Sequence, residues 1–270
     1  MFHPICVTCG TQYETTQPTP ERCPICCDDR QYVGWDGQQW TTMGALAHEY
    51  SNRLEDDGGL FCVGMSPSFA IDQRAMVLPT ASHRILWECT PLVTAAAVDA
   101  IQARGGIDLI AISHPHFYSS MVEWSTALGG VPVYLHESDR HWIGRSSPLI
   151  CFWNGDKLQL SDGVTLLRCG GHFPGSTALH WQDALRPRGQ LFAGDALQVV
   201  LDRKHVTFMY SYPNYIPMPP QAVLHIRTLL ERYAFDDLFG YTWGRNILGG
   251  ARDAVNRSLE RYFAVIGSPA

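Results

Sequence analysis

Apolar residues fall along this chain in short runs, each closed by glycine, proline or a polar pair. Residues 107–112 are rich in Ile and Leu, and a run of that length and branching predicts a buried strand. Residues 131–135, 164–169, 178–181, 191–193 and 237–241 read the same way. Ahead of them, 69–71, 75–78 and 84–89 are strand-like runs separated by turn residues, the pattern of a meander. Other stretches repeat at helical spacing. Leu46, Tyr50 and Leu54 recur every four positions and predict an amphipathic helix over 43–54, capped by Thr41-Thr42 and stopped by Asp56-Asp57-Gly58-Gly59. Further helices are predicted at 91–103, 119–128, 221–233 and 251–263, with Val223, Ile226, Leu229 and Leu230 on one apolar face. Strands and helices mixed in this way predict an α/β fold.

The chain has 270 residues, enough for one large domain or one domain with a small appendage. Its formal net charge is −6 and it has no basic run, which argues against a nucleic-acid backbone as partner. No uninterrupted apolar stretch approaches the roughly 18 residues of a membrane span. Residues Met1 to Cys6 lack a basic region followed by an apolar core, so no signal peptide is expected. The nine cysteines are therefore placed in a reducing cytoplasm, where disulfides are rare.

The first 36 residues carry their own chemistry. Cys6-Val-Thr-Cys9 and Cys23-Pro-Ile-Cys26 are paired thiols with 13 residues between the pairs, a spacing that suits one tetrahedral ion. Gly10 lets the backbone turn round the first pair; Cys27 stands at the matching place after the second and is read as a spare thiol. The two turns resemble the metal knuckles of zinc ribbons and rubredoxin-like modules. Zinc is the first expectation for this structural site and iron the alternative, because thiolates hold both. So short a segment cannot bury enough apolar surface to fold alone, so the ion would contribute to its stability.

The strand at 107–112 ends in Ser113-His114-Pro115-His116. His172 follows the run 164–169, and Asp195 follows 191–193. A lone His-x-His is as often an ordinary loop as a ligand pair. Three histidines and an aspartate, each just past a strand, make a much stronger case for a metal site.

In this order, His-x-His, Gly-x-His and Gly-Asp resemble the motifs of the metallo-β-lactamase superfamily, over about residues 60–265. The resemblance implies a four-layer αβ/βα sandwich for 60–270, preceded by the four-cysteine ribbon (1–36) and a linker helix (37–59). It implies one divalent ion on His114, His116, His172 and Asp195, zinc first and iron second. The usual first motif continues with Asp and His, where this chain has Tyr118 and Ser119, and the late histidine is missing from Phe239-Gly-Tyr-Thr-Trp243-Gly-Arg245. A second metal therefore loses three of its ligands.

The chemistry expected of one ion on neutral imidazoles is activation of water for attack on an ester, thioester, lactone or amide. Asp195 would ligate the ion or take a proton from that water, and Tyr118 would donate to a developing oxyanion or leaving group. Arg245 and Trp243, where the late histidine would stand, are candidates for substrate binding, Arg245 as a cation for a carboxylate or phosphate or else in a salt bridge. The aromatic-rich stretch 199–215, with Tyr210 and Tyr212, is read as a substrate wall, a homodimer contact or plain core. The start of the helix at 119 would favour an anionic group beside the histidines. His136, Glu137, Asp139 and His141 form a polar cluster read as an acid-rich helix start, not a ligand set. Two other functions stay open: a mononuclear non-haem iron oxidoreductase acting on a thiol or persulfide, and a non-catalytic binding protein that kept the fold. The partner in the first reading is a small molecule.

Overall fold

A computed structural model describes residues 3–15 and 18–267, so the outermost residues of the ranges 1–36 and 60–270 lie outside the described residues. Two sheets form the centre. The first has seven strands that lie side by side in sequence order. Ser51–Asp57, Leu60–Ser66, Ala75–Pro79 and Arg84–Trp87 make an antiparallel meander, and Leu109–Ala111, Val133–His136 and Ile150–Trp153 continue it in parallel. The second has six strands: Lys157–Ser161, Val164–Arg168, Thr177–Trp181, Gln190–Phe192, Asp237–Phe239 and Asn246–Leu248.

Strand alternation assigns each side chain to a layer. Met76, Leu78, Ile85 and Trp87 point between the sheets and meet Leu166, Leu179, Phe192 and Phe239 of the other. Val77, Leu86 and Ile110 point the opposite way, under the helices Ala95–Gln102 and Met121–Ala127. The outer face of the second sheet, with Leu191 and Leu238, is covered by Pro220–Leu230 and Ala251–Ile266. The architecture is the expected four-layer αβ/βα sandwich. No helix among the described residues is long and apolar enough to cross a membrane.

Three local expectations change. The helix predicted over 43–54 stops at Glu49; Thr42 caps it by accepting from the Ala45 N–H, and Tyr50 turns extended. A repeat of four is also a multiple of two, so Tyr50 and Leu54 fit strand alternation equally well. The ladder from Ser51↔Ser66 to Asp57↔Leu60 decides the matter, and Gly58-Gly59, both at positive φ, form its hairpin turn. Residues 69–71 form a turn, not a strand, with the Asp72 N–H donating to the Phe69 carbonyl. The run 237–241, the last strand expected from the sequence, is strand only over Asp237–Phe239, and Asn246–Leu248 pairs beyond it at the sheet edge.

Candidate metal centre

The histidine site begins where Leu109–Ala111 ends. His114 is extended, and the 3-10 turn Pro115–Phe117 folds the chain back so that His116 shares its side. His172 sits on a tight loop in which Gly170 and Gly171 both have positive φ, and a Cβ on Gly171 would strike the Met218 sulfur. Asp195 follows Gln190–Phe192 through Gly194, also at positive φ, and a Cβ there would collide with Ser113. Strand ends and two close backbone approaches thus converge on one point.

His114, His116, His172 and Asp195 are all buried, and each offers an atom to one cluster. His172 Nε2 lies 3.1 Å from His116 Nδ1. Asp195 Oδ2 lies 3.3 Å from His114 Nε2, 3.5 Å from His172 Nε2 and 4.0 Å from His116 Nδ1. A tetrahedral ion with bonds of about 2.0–2.1 Å needs donors about 3.3 Å apart, so these separations fit. His172 Nδ1 is 2.8 Å from the Tyr210 carbonyl, which can only accept; the proton is therefore on Nδ1, and Nε2 keeps its lone pair for the cluster. Burial pushes His116 down to about 4 and His172 well below its ordinary value, which keeps both imidazoles neutral, the state that ligates. Burial alone would raise Asp195, but the imidazoles of His114, His116 and His172 around it outweigh that and hold the carboxylate ionised.

Two buried acids support this set, and the motif reading did not single out either as a support. Glu88 Oε2 accepts the Ser113 N–H at 3.1 Å, and the Ser113 hydroxyl is 2.8 Å from His114 Nδ1. Burial pushes the Glu88 carboxyl up to about 8, against the hydrogen bonds from Ser113. Asp139 Oδ1 accepts the Gly175 N–H at 2.9 Å and so anchors the loop that carries His172. The signal for Glu88 was present in the sequence: a lone acid inside the apolar run 84–89. None of His136, Glu137, Asp139 and His141 is itself a member of the donor cluster, and the His136 ring accepts from the Ser138 N–H at a 3-10 helix start.

Cys6, Cys9, Cys23 and Cys26 form a second buried cluster. Cys6 and Cys26 sulfurs are 3.6 Å apart and Cys9 and Cys23 sulfurs 3.7 Å. An ion with thiolate bonds of about 2.3 Å needs sulfurs about 3.8 Å apart, so four thiolates fit here as well. Gln38 donates to the Cys6 sulfur at 3.2 Å, and the Tyr13 hydroxyl is 3.1 Å from the Cys23 sulfur. Cys27 is exposed and outside the cluster.

The four-cysteine module does not stand apart from the histidine site. Gln12 N–H donates to the Ser119 carbonyl and Glu14 N–H to that of Gly144. Ser211 donates to the Arg30 carbonyl, and Asn214 donates to those of Asp29 and Gln31. A cavity of about 150 Å³ is bordered by residues of both the histidine site and the module. His116, Asp195, Tyr212 and Tyr241 border it on one side, and Thr8, Gln31 and Tyr32 of the module on the other.

Four expected site residues lie elsewhere. Tyr118 is buried among apolar side chains, its hydroxyl donating to the Asp139 carbonyl at 3.4 Å, and it does not border the cavity. Trp243 packs on Gly64 with Arg53 over its ring at 4.1 Å. Arg245 donates to the Val199 carbonyl at 3.3 Å; it makes no salt bridge among the described residues and does not border the cavity. Tyr210 offers His172 its backbone, while its ring faces Arg30 at 5.3 Å. Tyr212 does reach the cavity, and its hydroxyl donates to the Asp195 carbonyl at 3.0 Å. Where the late histidine was missing, it is Tyr241 that enters. Arg74 explains this placement: fully buried and paired with Asp57 at 2.6 Å, it donates to the Gly240 carbonyl and to Asn246, and its backbone N–H binds the Tyr241 carbonyl. The helix at 119 begins only at Met121 and spans 7 residues, so its short dipole provides no anion site.

Sandwich and site together define a metallo-β-lactamase-fold protein with a His/Asp metal site and an N-terminal four-cysteine cluster. DIM-1 metallo-β-lactamase superposes with a TM-score of 0.57 at 14% identity, covering 78% of this chain and 95% of that one. VMB-1 gives 0.57 at 13%, over 80% and 98%. TTHA1623, in a di-iron-bound form, gives 0.51 at 21%, over 72% and 98%. These likenesses establish the fold. No protein-family model matches the chain. The chain belongs to the same family as the uncharacterized protein YmaE of Bacillus subtilis (strain 168): they are 39% identical over 267 residues, 98% of this chain and 97% of that protein.

Proposed function

We propose that the protein is a metal-dependent hydrolase of a small carbonyl compound, an ester, thioester, lactone or amide, working with one ion, zinc as first choice. The observation that carries this is the set of four buried donors, of which His116 and Asp195 border one small cavity through which water could reach a bound ion as a further ligand. Bound there, a divalent ion supplies a Lewis acid that can bring the pKa of water from about 16 to about 7. The residues do the rest. Asp195 Oδ1 is buried with no hydrogen-bond partner among the described residues, which leaves it free to accept a proton. Tyr241 takes the donor role first expected of Tyr118. Its oxygen accepts from Gln198 at 2.9 Å, which leaves its O–H to donate, and burial raises a phenol that is already protonated at neutral pH. A single ion suits the ligand set, because Tyr118 and Ser119 bring no donor to a second position.

The test is elemental analysis of the purified protein beside His114→Ala/His116→Ala and Cys6→Ser/Cys9→Ser variants, with turnover of an ester, thioester and lactone panel. Zinc in both clusters, one lost in each variant, with turnover lost in the histidine variant, is the expected result. Iron lost with the histidines would favour the oxidative reading. No turnover of the panel by zinc-loaded protein would sink the hydrolase.

A further inference from the structure

We infer that the four-cysteine module is the specificity wall of the histidine site, with Gln31 and Tyr32 restricting it to short, uncharged acyl groups; this rests on the hydrolase reading above. The wall is rigidly tied to the cysteine cluster. From Cys23 the chain runs through successive turns, Cys27 N–H to the Cys23 carbonyl, Asp28 to Ile25 and Gln31 to Asp28. Asn214 then clamps the Gln31 carbonyl from the other side at 3.0 Å. An ion among the four thiolates therefore fixes where Gln31 and Tyr32 stand against His116 and Asp195.

Size and charge define what the wall admits. At about 150 Å³ the cavity is smaller than the roughly 300 Å³ or more of a pocket for a drug-sized ligand. Its border carries no cationic side chain. Arg30, the nearest on the module, is bound to Asp28 at 2.5 Å and lies over Phe173, while Arg245 is turned to Val199. A carboxylate or phosphate carried by the substrate would find no arginine at this border and would compete with the reacting carbonyl for the bound ion. Gln31 is 6% exposed, and its Oε1 has no partner among the described residues, an acceptor available to a substrate N–H or O–H. Tyr32, by contrast, is 48% exposed, at the rim, where its ring blocks longer chains.

The experiment titrates metal-loaded protein with acetohydroxamate and with octanohydroxamate by calorimetry, which needs no turnover. Wild type should bind the short probe at least about tenfold more tightly than the long one. Tyr32→Ala should erase most of that preference, and Gln31→Ala should weaken the short probe by about tenfold, both keeping wild-type metal content in the two clusters. Equal binding of the two probes by wild type, no binding by protein that holds its ions, or a preference unchanged in Tyr32→Ala would each overturn the inference. Size-selective binding without turnover of any panel substrate would sink the hydrolase and leave the wall standing. Turnover with unaltered selectivity in Tyr32→Ala would do the reverse.

Discussion

The Arg30 guanidinium lies 4.1 Å over the ring of Phe173, the residue next to the ligand His172. It also donates to the His172 carbonyl at 3.3 Å and is held by Asp28. One side chain of the four-cysteine module thus braces the loop that carries a histidine of the other cluster. A partly desolvated contact of this kind is worth about 1–2 kcal/mol. Arg30→Ala should lose that amount, read as a lower thermal midpoint. Arg30→Lys, which keeps charge without the flat stacking surface, should fall between. An unchanged midpoint in Arg30→Ala would mean that the brace contributes nothing.

Asp139 gives a pH dependence of known sign. Burial pushes its carboxyl up to about 7, against the Gly175 N–H and Arg30. The folded state therefore holds this proton more tightly than the unfolded chain, where an aspartate titrates near 3.9. The stabilisation from Asp139 is complete below about pH 4 and is lost as pH rises to about 7. Asp139→Asn keeps an oxygen for Gly175 and removes the titration. Its stability relative to wild type should therefore rise between pH 4 and 7, by an amount on the order of 3 kcal/mol, in urea melts run across that range. Parallel profiles for the two proteins would refute the assignment.

The sequence made the metal ligands legible because strand ends are easy to see and three histidines and an aspartate each follow one. His114, His116, His172 and Asp195 needed only their place after apolar runs. Strand count was harder. Leu46, Tyr50 and Leu54 satisfied a helix and a strand alike, and only pairing with Leu60–Ser66 distinguishes them. The cavity was least legible. Position in a motif put Tyr118, Trp243 and Arg245 at the site, but a side chain's direction depends on its partners. Tyr118 turns to Asp139, Trp243 to Arg53, and Arg74 brings in Tyr241 from far along the chain. Nothing local in the sequence records contacts of that range.

Tyr118 and Tyr241 can be separated by one deletion each. Tyr241→Phe removes the O–H that borders the cavity and should lower kcat by about 10²-fold with little change in KM. Tyr118→Phe removes a long hydrogen bond to a backbone carbonyl and should leave kcat within a few-fold of wild type, at a cost of about 1 kcal/mol in stability. The reverse ranking, read from steady-state kinetics on the best panel substrate, would return the donor role to Tyr118.

Gly194 has φ +51 and precedes the ligand Asp195. Alanine there would carry a strain of about 1–2 kcal/mol from the left-handed backbone alone. Its Cβ would also press on the Ser113 Cβ at 2.5 Å, and the Ser113 hydroxyl is what holds His114 Nδ1. Two ligands would shift together, one through the chain and one through Ser113. Gly194→Ala should therefore release the ion from the histidine cluster and keep the one among the cysteines, with a stability loss of about 2–4 kcal/mol. Gly249→Ala is the control: φ is +79, with nothing within 4 Å of the added carbon, so only the backbone strain applies. Elemental analysis and thermal melts of the two variants decide the point. If Gly194→Ala keeps both ions while Gly249→Ala melts as low, the glycine serves only its turn, and the Ser113 contact does not set the ligand geometry.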